Sequence, residues 1–194
     1  MARRILVILG HPAEQSFCRA LAESYVAGAG SAGHYARVID LRALTFDPVL
    51  HGGYGGEQSL ESDLVRAQES ILWAQHLVFV YPIWWGAVPA LLKGFIDRVF
   101  LPGFAFKYHK DKISTWDKLL SGRTARLLVT MDSPPWYFRF VSRAPGHNQM
   151  RRTILEFCGV KPVAISSFGS VQASDAARRA AWLKQAEGLG SAGS

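Results

Sequence analysis

The stretch LVFVYPIWWGAVPALLKGFIDRVF, residues 77–100, decides the fold. It opens on a short apolar run, Leu77 to Tyr81, of the kind that suits a strand buried on both faces. A loop containing Pro82 and Gly86 follows, and Val88-Pro89 restarts the chain as a helix, where proline's missing N–H costs little. Leu91, Leu92, Phe95, Ile96 and Val99 share one helical face, which Lys93, Asp97 and Arg98 leave. From Ser70 to Leu92 there is no Asp, Glu, Lys or Arg, a length that could span a bilayer. Pro82, Gly86, Pro89 and the polar Gln75-His76 interrupt it, so the reading is helix end, strand, loop and helix, without membrane insertion.

The same alternation extends in both directions. Four more apolar runs, rich in β-branched residues, lie at Ile5 to Leu9, Tyr35 to Leu41, Ala125 to Thr130 and Pro162 to Ser166. Between and after the strands, amphipathic stretches predict helices over Ser16 to Ala29, Gln58 to Ala74, Pro89 to Phe100, Gly146 to Phe157 and Ser174 to Gly188. Gly159 fits a left-handed cap after the fourth. The pattern βαβαβαβαβ predicts an α/β fold: a flavodoxin-like, doubly wound, five-stranded parallel sheet of order 2-1-3-4-5 with helices on both faces. Residues 1–188 read as one domain and 189–194, LGSAGS, as a flexible tail.

The 194 residues are 49% hydrophobic and 19% charged, a globular composition rather than a disordered one. Twenty-two Lys and Arg against fifteen Asp and Glu leave a net charge of +7. Such a surface suits a phosphorylated ligand, but no block of basic residues points to nucleic acid. Cys18 and Cys158 are far apart and form neither a disulfide framework nor a CxxC pair, which predicts a reduced, cytoplasmic setting. The N-terminal MARRILVILG lacks a small-residue cleavage site before His11-Pro12. Without HExxH or a clustered His/Cys set, no metal site is expected; GxSxG and P-loop motifs are also missing.

Two GxGxxG matches, Gly28-Gly30-Gly33 and Gly188-Gly190-Gly193, are in the wrong place for a dinucleotide fingerprint. One closes a helix and the other lies in the expected tail, whereas the fingerprint must follow a strand and open a helix. Three other segments should meet at the carboxyl rim of the sheet, where ligands of such folds bind. The first, Gly10 to Cys18, runs from strand to helix; free N–H groups there attract phosphate, and Ser16 can donate its hydroxyl or cap the helix. The second carries Trp84-Trp85, a surface for a flat aromatic ring, and Gly86, which allows close backbone approach. The third, Thr130-Met131-Asp132-Ser133-Pro134-Pro135-Trp136-Tyr137, is stiffened by two prolines and adds Thr130 and Asp132 to the candidate set.

His11 with Ser16-Phe17, the run Tyr81 to Phe100, GFAFKY at 103–108 and ILEFCGV at 154–160 together resemble the NAD(P)H:quinone oxidoreductase family, related to DT-diaphorase and to ancillary oxidoreductases of bacterial potassium efflux. The resemblance covers residues 3 to 185. It implies a bound flavin, FMN with FAD as the close alternative, a homodimer, and two-electron transfer from NAD(P)H to a quinone. It implies that His11, Ser16, Phe17 and Cys18 cradle the flavin phosphate and that Pro82, Ile83, Trp84, Trp85 and Gly86 contact its ring. Phe106 and Tyr108 would wall the partner subunit's site, and Tyr137 and His147 would steady the reduced ring and deliver protons. The chain departs from its relatives after the fourth strand, where Thr130-Met131-Asp132-Ser133 stands in place of Thr-Thr-Gly-Gly. A second reading is a regulatory subunit of a potassium-efflux system or another partner; a third, a one-electron carrier, sits poorly with a basic chain, since such carriers are typically acidic.

Overall fold

Successive residues of a strand point to opposite faces, so a run that is apolar throughout must be covered on both. That is how the three inner strands of the sheet are used, whereas the outer strand at Tyr35–Asp40, expected as a buried run, is exposed or half-buried throughout. The computed structural model describes residues 1–109 and 115–194. Its elements are β1 (Arg4–Leu9), α1 (Phe17–Ser31), β2 (Tyr35–Asp40), α2 (Ser62–Trp73), β3 (His76–Pro82), α3 (Ala90–Val99), β4 (Phe106–Tyr108), β5 (Trp116–Lys118), β6 (Thr124–Met131), α4 (Pro135–Phe140), α5 (Pro145–Asn148), β7 (Val163–Gly169) and α6 (Ala176–Ala192). Five of them form a parallel sheet in the order β2-β1-β3-β6-β7, the expected 2-1-3-4-5 arrangement once an inserted two-stranded ribbon, β4–β5, is set aside.

Leu6, Ile8, Phe79, Leu127 and Val129 face α2 and α3, while Val7, Leu9, Val78, Val80 and Leu128 face α1 and α6. α1 and α6 cross so closely that a methyl on Gly28 would strike the Glu187 carbonyl, and one on Gly190 the Tyr25 carbonyl. Both misplaced glycine motifs therefore contribute a helix-crossing residue.

Several expectations are corrected. Residues 189–194 are not a loose tail: α6 runs to Ala192, Gly193 closes it with φ 62°, and Arg3 and Arg126 donate to the last carbonyls, Gly193 O and Ser194 O. Arg98 does not leave the apolar face; it is wholly buried, and its guanidinium reaches Glu61 and the carbonyls of Asp47 and Ser59. Those bonds clasp both ends of the glycine-rich segment between β2 and α2. The helix expected over Gly146 to Phe157 begins as α5 and continues as π-helical turns over Gln149–Glu156, ending at Gly159 with the expected positive φ, 96°. The third rim loop is not loop throughout, because Pro135 starts α4. β7 begins at Val163, not Pro162, and runs three residues past Ser166.

Candidate functional site

The carboxyl ends of β1, β3, β6 and β7 surround a cavity of about 510 Å³. Its size is within the range of about 300–1,000 Å³ typical of small-molecule sites. Of the sequence candidates, His11, Ser16, Phe17, Cys18, Pro82, Ile83, Trp84, Thr130 and Asp132 line it.

The first wall is the start of α1. Ser16 is its N-cap, in extended conformation, with Oγ accepting from Arg19 N at 3.2 Å. The amides of Phe17 and Cys18 precede the first intrahelical bond and face an anion-attracting helix end. Cys18 lies beneath, its Sγ 3.2 Å from the Thr130 hydroxyl on β6; burial pushes the thiol up to about 12, so it stays protonated. His11 is held below the ordinary histidine value by burial, against a smaller opposing effect of its bond from Ala13 N. That bond, 3.0 Å to Nδ1, assigns the proton of the neutral ring to Nε2, which makes Nε2 a donor.

The second wall is a tight reversal. Trp84 N donates to Ala87 O and Ala87 N to Trp84 O, both at 3.0 Å, with φ of 51° at Trp85 and 79° at Gly86. Two successive positive φ values define a type I′ turn, which favours glycine at the second position and strains tryptophan at the first. The turn sends the paired indoles apart. Trp84 lines the cavity with its ring edge-on to His11 at 5.6 Å between centroids, while Trp85 projects entirely into solvent. Ile83 N bonds Thr130 O at 2.7 Å and fixes the turn to β6.

The third wall joins β6 to the exit of β7. Val171 N donates to Met131 O and Gln172 N to Asp132 Oδ1, each at 3.2 Å. Gln15, Met131, Val171 and Gln172 thus line the cavity although the sequence reading did not single them out. The carboxyl-end rule would have pointed to Val171 and Gln172 had the last strand not been ended at Ser166. Serines at 166 and 167 break the apolar run; this outer strand tolerates them because both are only half-buried and Ser166 Oγ accepts from Arg126 at 2.9 Å.

The remaining candidates lie elsewhere. Trp85 and Gly86 do not line the cavity. Tyr108 is exposed on the ribbon and borders a separate cavity of about 330 Å³ with Phe106 and Tyr54. Tyr137 is half-exposed on α4 against Trp136. His147 faces a third hollow, edge-on to Phe138 at 5.0 Å, and burial lowers its pKa. The three residues assigned to catalysis are therefore not gathered around Trp84 within one protomer.

The walls suit a planar ring bearing a phosphate: an indole and an imidazole on one side and helix-start amides on the other. Among the described residues no group of His, Cys, Asp and Glu could hold a metal, and no helix is long and apolar enough to cross a membrane.

The sheet order and the rim cavity define a doubly wound α/β protein with a cavity at the switch point. A family model described as flavodoxin-like fold matches residues 3–189, and the chain belongs to that family. Within it the chain resembles NAD(P)H:quinone oxidoreductases. It is 28% identical over 186 residues to an uncharacterized NAD(P)H oxidoreductase of Haemophilus influenzae, covering 93% of this chain and 91% of that one. NAD(P)H dehydrogenase [quinone] 1 of Cavia porcellus is 34% identical over 126 residues, 55% of this chain. Those residues make up 46% of that relative, and a second curated relative, from Penicillium crustosum, is spanned over 57%; the chain thus spans about half the length of these two. The solved NAD(P)H:quinone oxidoreductase of Methanothermobacter marburgensis superposes with a TM-score of 0.80 at 26% identity, with 98% of each chain covered.

Proposed function

We propose that the protein is a flavin-dependent NAD(P)H oxidoreductase that passes two electrons from NAD(P)H to a quinone or similar acceptor, with FMN as its resident flavin. The observation that carries this reading is the rim cavity, where the start of α1, the Trp84 indole and the exit of β7 converge. A bound flavin would supply the hydride-transfer chemistry between nicotinamide and acceptor. The amides of Phe17 and Cys18 and the Nε2–H of His11 are the donors for the phosphate, and the helix end favours its charge. Trp84 gives the ring an apolar face. Cys18 supports the floor through Thr130, and burial keeps its thiol protonated.

Tyr137 and His147 are retained as the groups that move a proton to the acceptor. Gly146, the neighbour of His147, packs against Gly86 O and Ile83, so the imidazole is one residue from the turn that borders the cavity. Tyr108 shares no cavity with Trp84 in its own protomer. It would act through a homodimer, as a wall for a ring bound by the second copy.

The test is to purify the protein, record its visible spectrum, identify the extracted cofactor by mass, and follow NAD(P)H oxidation with menadione. The expected result is one flavin per chain, FMN by mass, and steady turnover without any partner protein. Absence of flavin together with no uptake of added FMN or FAD overturns the reading. Flavin without turnover favours the regulatory alternative.

A further inference from the structure

The third hollow, the one that His147 faces, measures about 850 Å³ and lies beside the rim cavity. Its floor is β7, the outer strand of the sheet, through Val163, Ile165 and Ser167; α4, α5 and the π-helical turns form its walls. Four arginines line it, Arg139, Arg143, Arg151 and Arg152, and among the described residues no carboxylate does. Among the described residues only Arg151 of the four has an acidic partner, Glu156 at 2.9 Å. Four like charges around one hollow repel each other, and a polyanion relieves that repulsion. Guanidinium forks match phosphate oxygens in both geometry and charge. Trp136 and Phe140, 62% and 71% exposed, stand at the same hollow and offer flat apolar faces to a base.

The backbone holds this arrangement in place. Arg143 and Ala144 are consecutive residues at positive φ, 59° and 47°, a costly conformation for side chains with a Cβ. It is held by Asn148 Nδ2 donating to Arg143 O and by Ala144 N donating to Phe138 O, both at 2.9 Å. The hollow also lies within reach of the rim cavity. Ser167 lines one and Val171 the other, four residues apart and so no more than about 14 Å along the chain. Pro145 and Gly146, between Arg143 and His147, pack on the Gly86 turn. A molecule with a flat ring in the rim cavity and phosphates at its other end could occupy both.

We propose that this hollow receives the adenosine end of the pyridine dinucleotide, with the arginine cluster holding its 2′-phosphate, so that the protein selects NADPH over NADH. The assignment rests on the oxidoreductase reading above, but it concerns residues outside the flavin cavity and has its own readout.

The experiment is calorimetric titration of the purified chain, with and without added FMN, using 2′,5′-ADP, 5′-AMP, inorganic phosphate and a polyglutamate peptide as probes. The expected result is that 2′,5′-ADP binds at least about ten-fold more tightly than 5′-AMP or phosphate. Arg143→Ala/Arg152→Ala should lose about ten-fold or more of that affinity while keeping the parental melting temperature and FMN affinity. Equal affinity for 2′,5′-ADP and 5′-AMP overturns the proposal, as does unchanged 2′,5′-ADP affinity in the double variant. Phosphate binding as tightly as 2′,5′-ADP, or polyglutamate binding where 2′,5′-ADP does not, also overturns it. Should the variant unfold, Arg143→Lys/Arg152→Lys, which keeps the charge but not the fork, is expected to lose a smaller part of the affinity; no loss overturns the proposal. If the chain takes up no flavin, the oxidoreductase reading fails by that observation alone, while the titrations without FMN still decide whether the hollow recognises the 2′-phosphate.

Discussion

Arg98, wholly buried on α3, donates to both carboxylate oxygens of Glu61, at 2.8 and 3.2 Å, and so joins the start of α2 to the core. Removing one partner of a buried pair costs about 3–5 kcal/mol. The Glu61 side chain is about one-third exposed, at 32%, so water screens part of the interaction, and Glu61→Ala is expected to cost about 2 kcal/mol. Burial alone would raise the Glu61 pKa, but backbone hydrogen bonds and the Arg98 partnership outweigh it and hold the carboxyl below its ordinary value. The stabilisation is therefore present above the ordinary glutamate value and lost as pH falls through the lowered one. Urea unfolding across that range should show a shallower acid-side slope for Glu61→Gln than for the parent.

His76 gives a second pH dependence. Burial, with help from Arg3 and Arg126, lowers its pKa to about 4. The folded chain keeps the ring neutral while the unfolded chain protonates below the ordinary histidine value. Stability is thus lost as pH falls from about 6.5 to about 4, by roughly 3 kcal/mol in total. His76→Asn, which keeps a polar group near the Thr124 hydroxyl, should flatten this part of the urea-derived stability curve. An unchanged curve would show that other groups carry the dependence.

Both thiols, Cys18 and Cys158, are raised to about 12 by burial. At pH 8 neither should react with a thiol-exchange reagent in the native protein, and both should react in denaturant. Stoichiometric native labelling would contradict the buried placement.

At the α1–α6 crossing, Gly28→Ala forces the helices apart, because the added methyl meets the Glu187 backbone rather than a side chain that could turn away. Overpacking of this kind costs about 1–3 kcal/mol, and thermal melting should register it. Gly30→Ala on the same helix, with open space around its Cα, should be neutral or slightly stabilising.

The turn at Trp84-Trp85 separates the two indoles. Trp84→Ala should weaken FMN binding by about ten-fold or more, the loss of one aromatic face. Trp85→Ala, at a fully exposed position, should leave the melting temperature within about 2 °C of the parent, since exposed positions shift stability by less than about 0.5 kcal/mol. Its effect on flavin retention then reports whether the indole acts from outside the cavity, as a wall shared with another copy. Fluorescence titration with FMN measures both.

The sheet order was legible because strands buried on both faces write continuous apolar runs, and because proline and glycine punctuate them at Pro82, Gly86, Pro89 and Gly159. Three rim segments were legible for a related reason: in a parallel sheet every strand must deliver its loop to the same edge, so strand ends mark the rim where a cavity can form. Where apolarity was weaker the reading failed. Ser166 and Ser167 concealed the end of β7, and with it Val171 and Gln172. A guanidinium on an otherwise apolar helix looked like a surface group, since nothing local shows that Glu61 and two distant carbonyls will meet it.

Local chemistry, written residue by residue, determined which segments are strands, which are helices and which edge collects the loops. Only the tertiary structure decided which side chains share a cavity. That choice depends on φ at Trp85, on the approach of Gly146 to the Gly86 turn, and on how closely two glycine-bearing helices cross. Each is set by contacts between parts of the chain distant in sequence, and no periodicity records them.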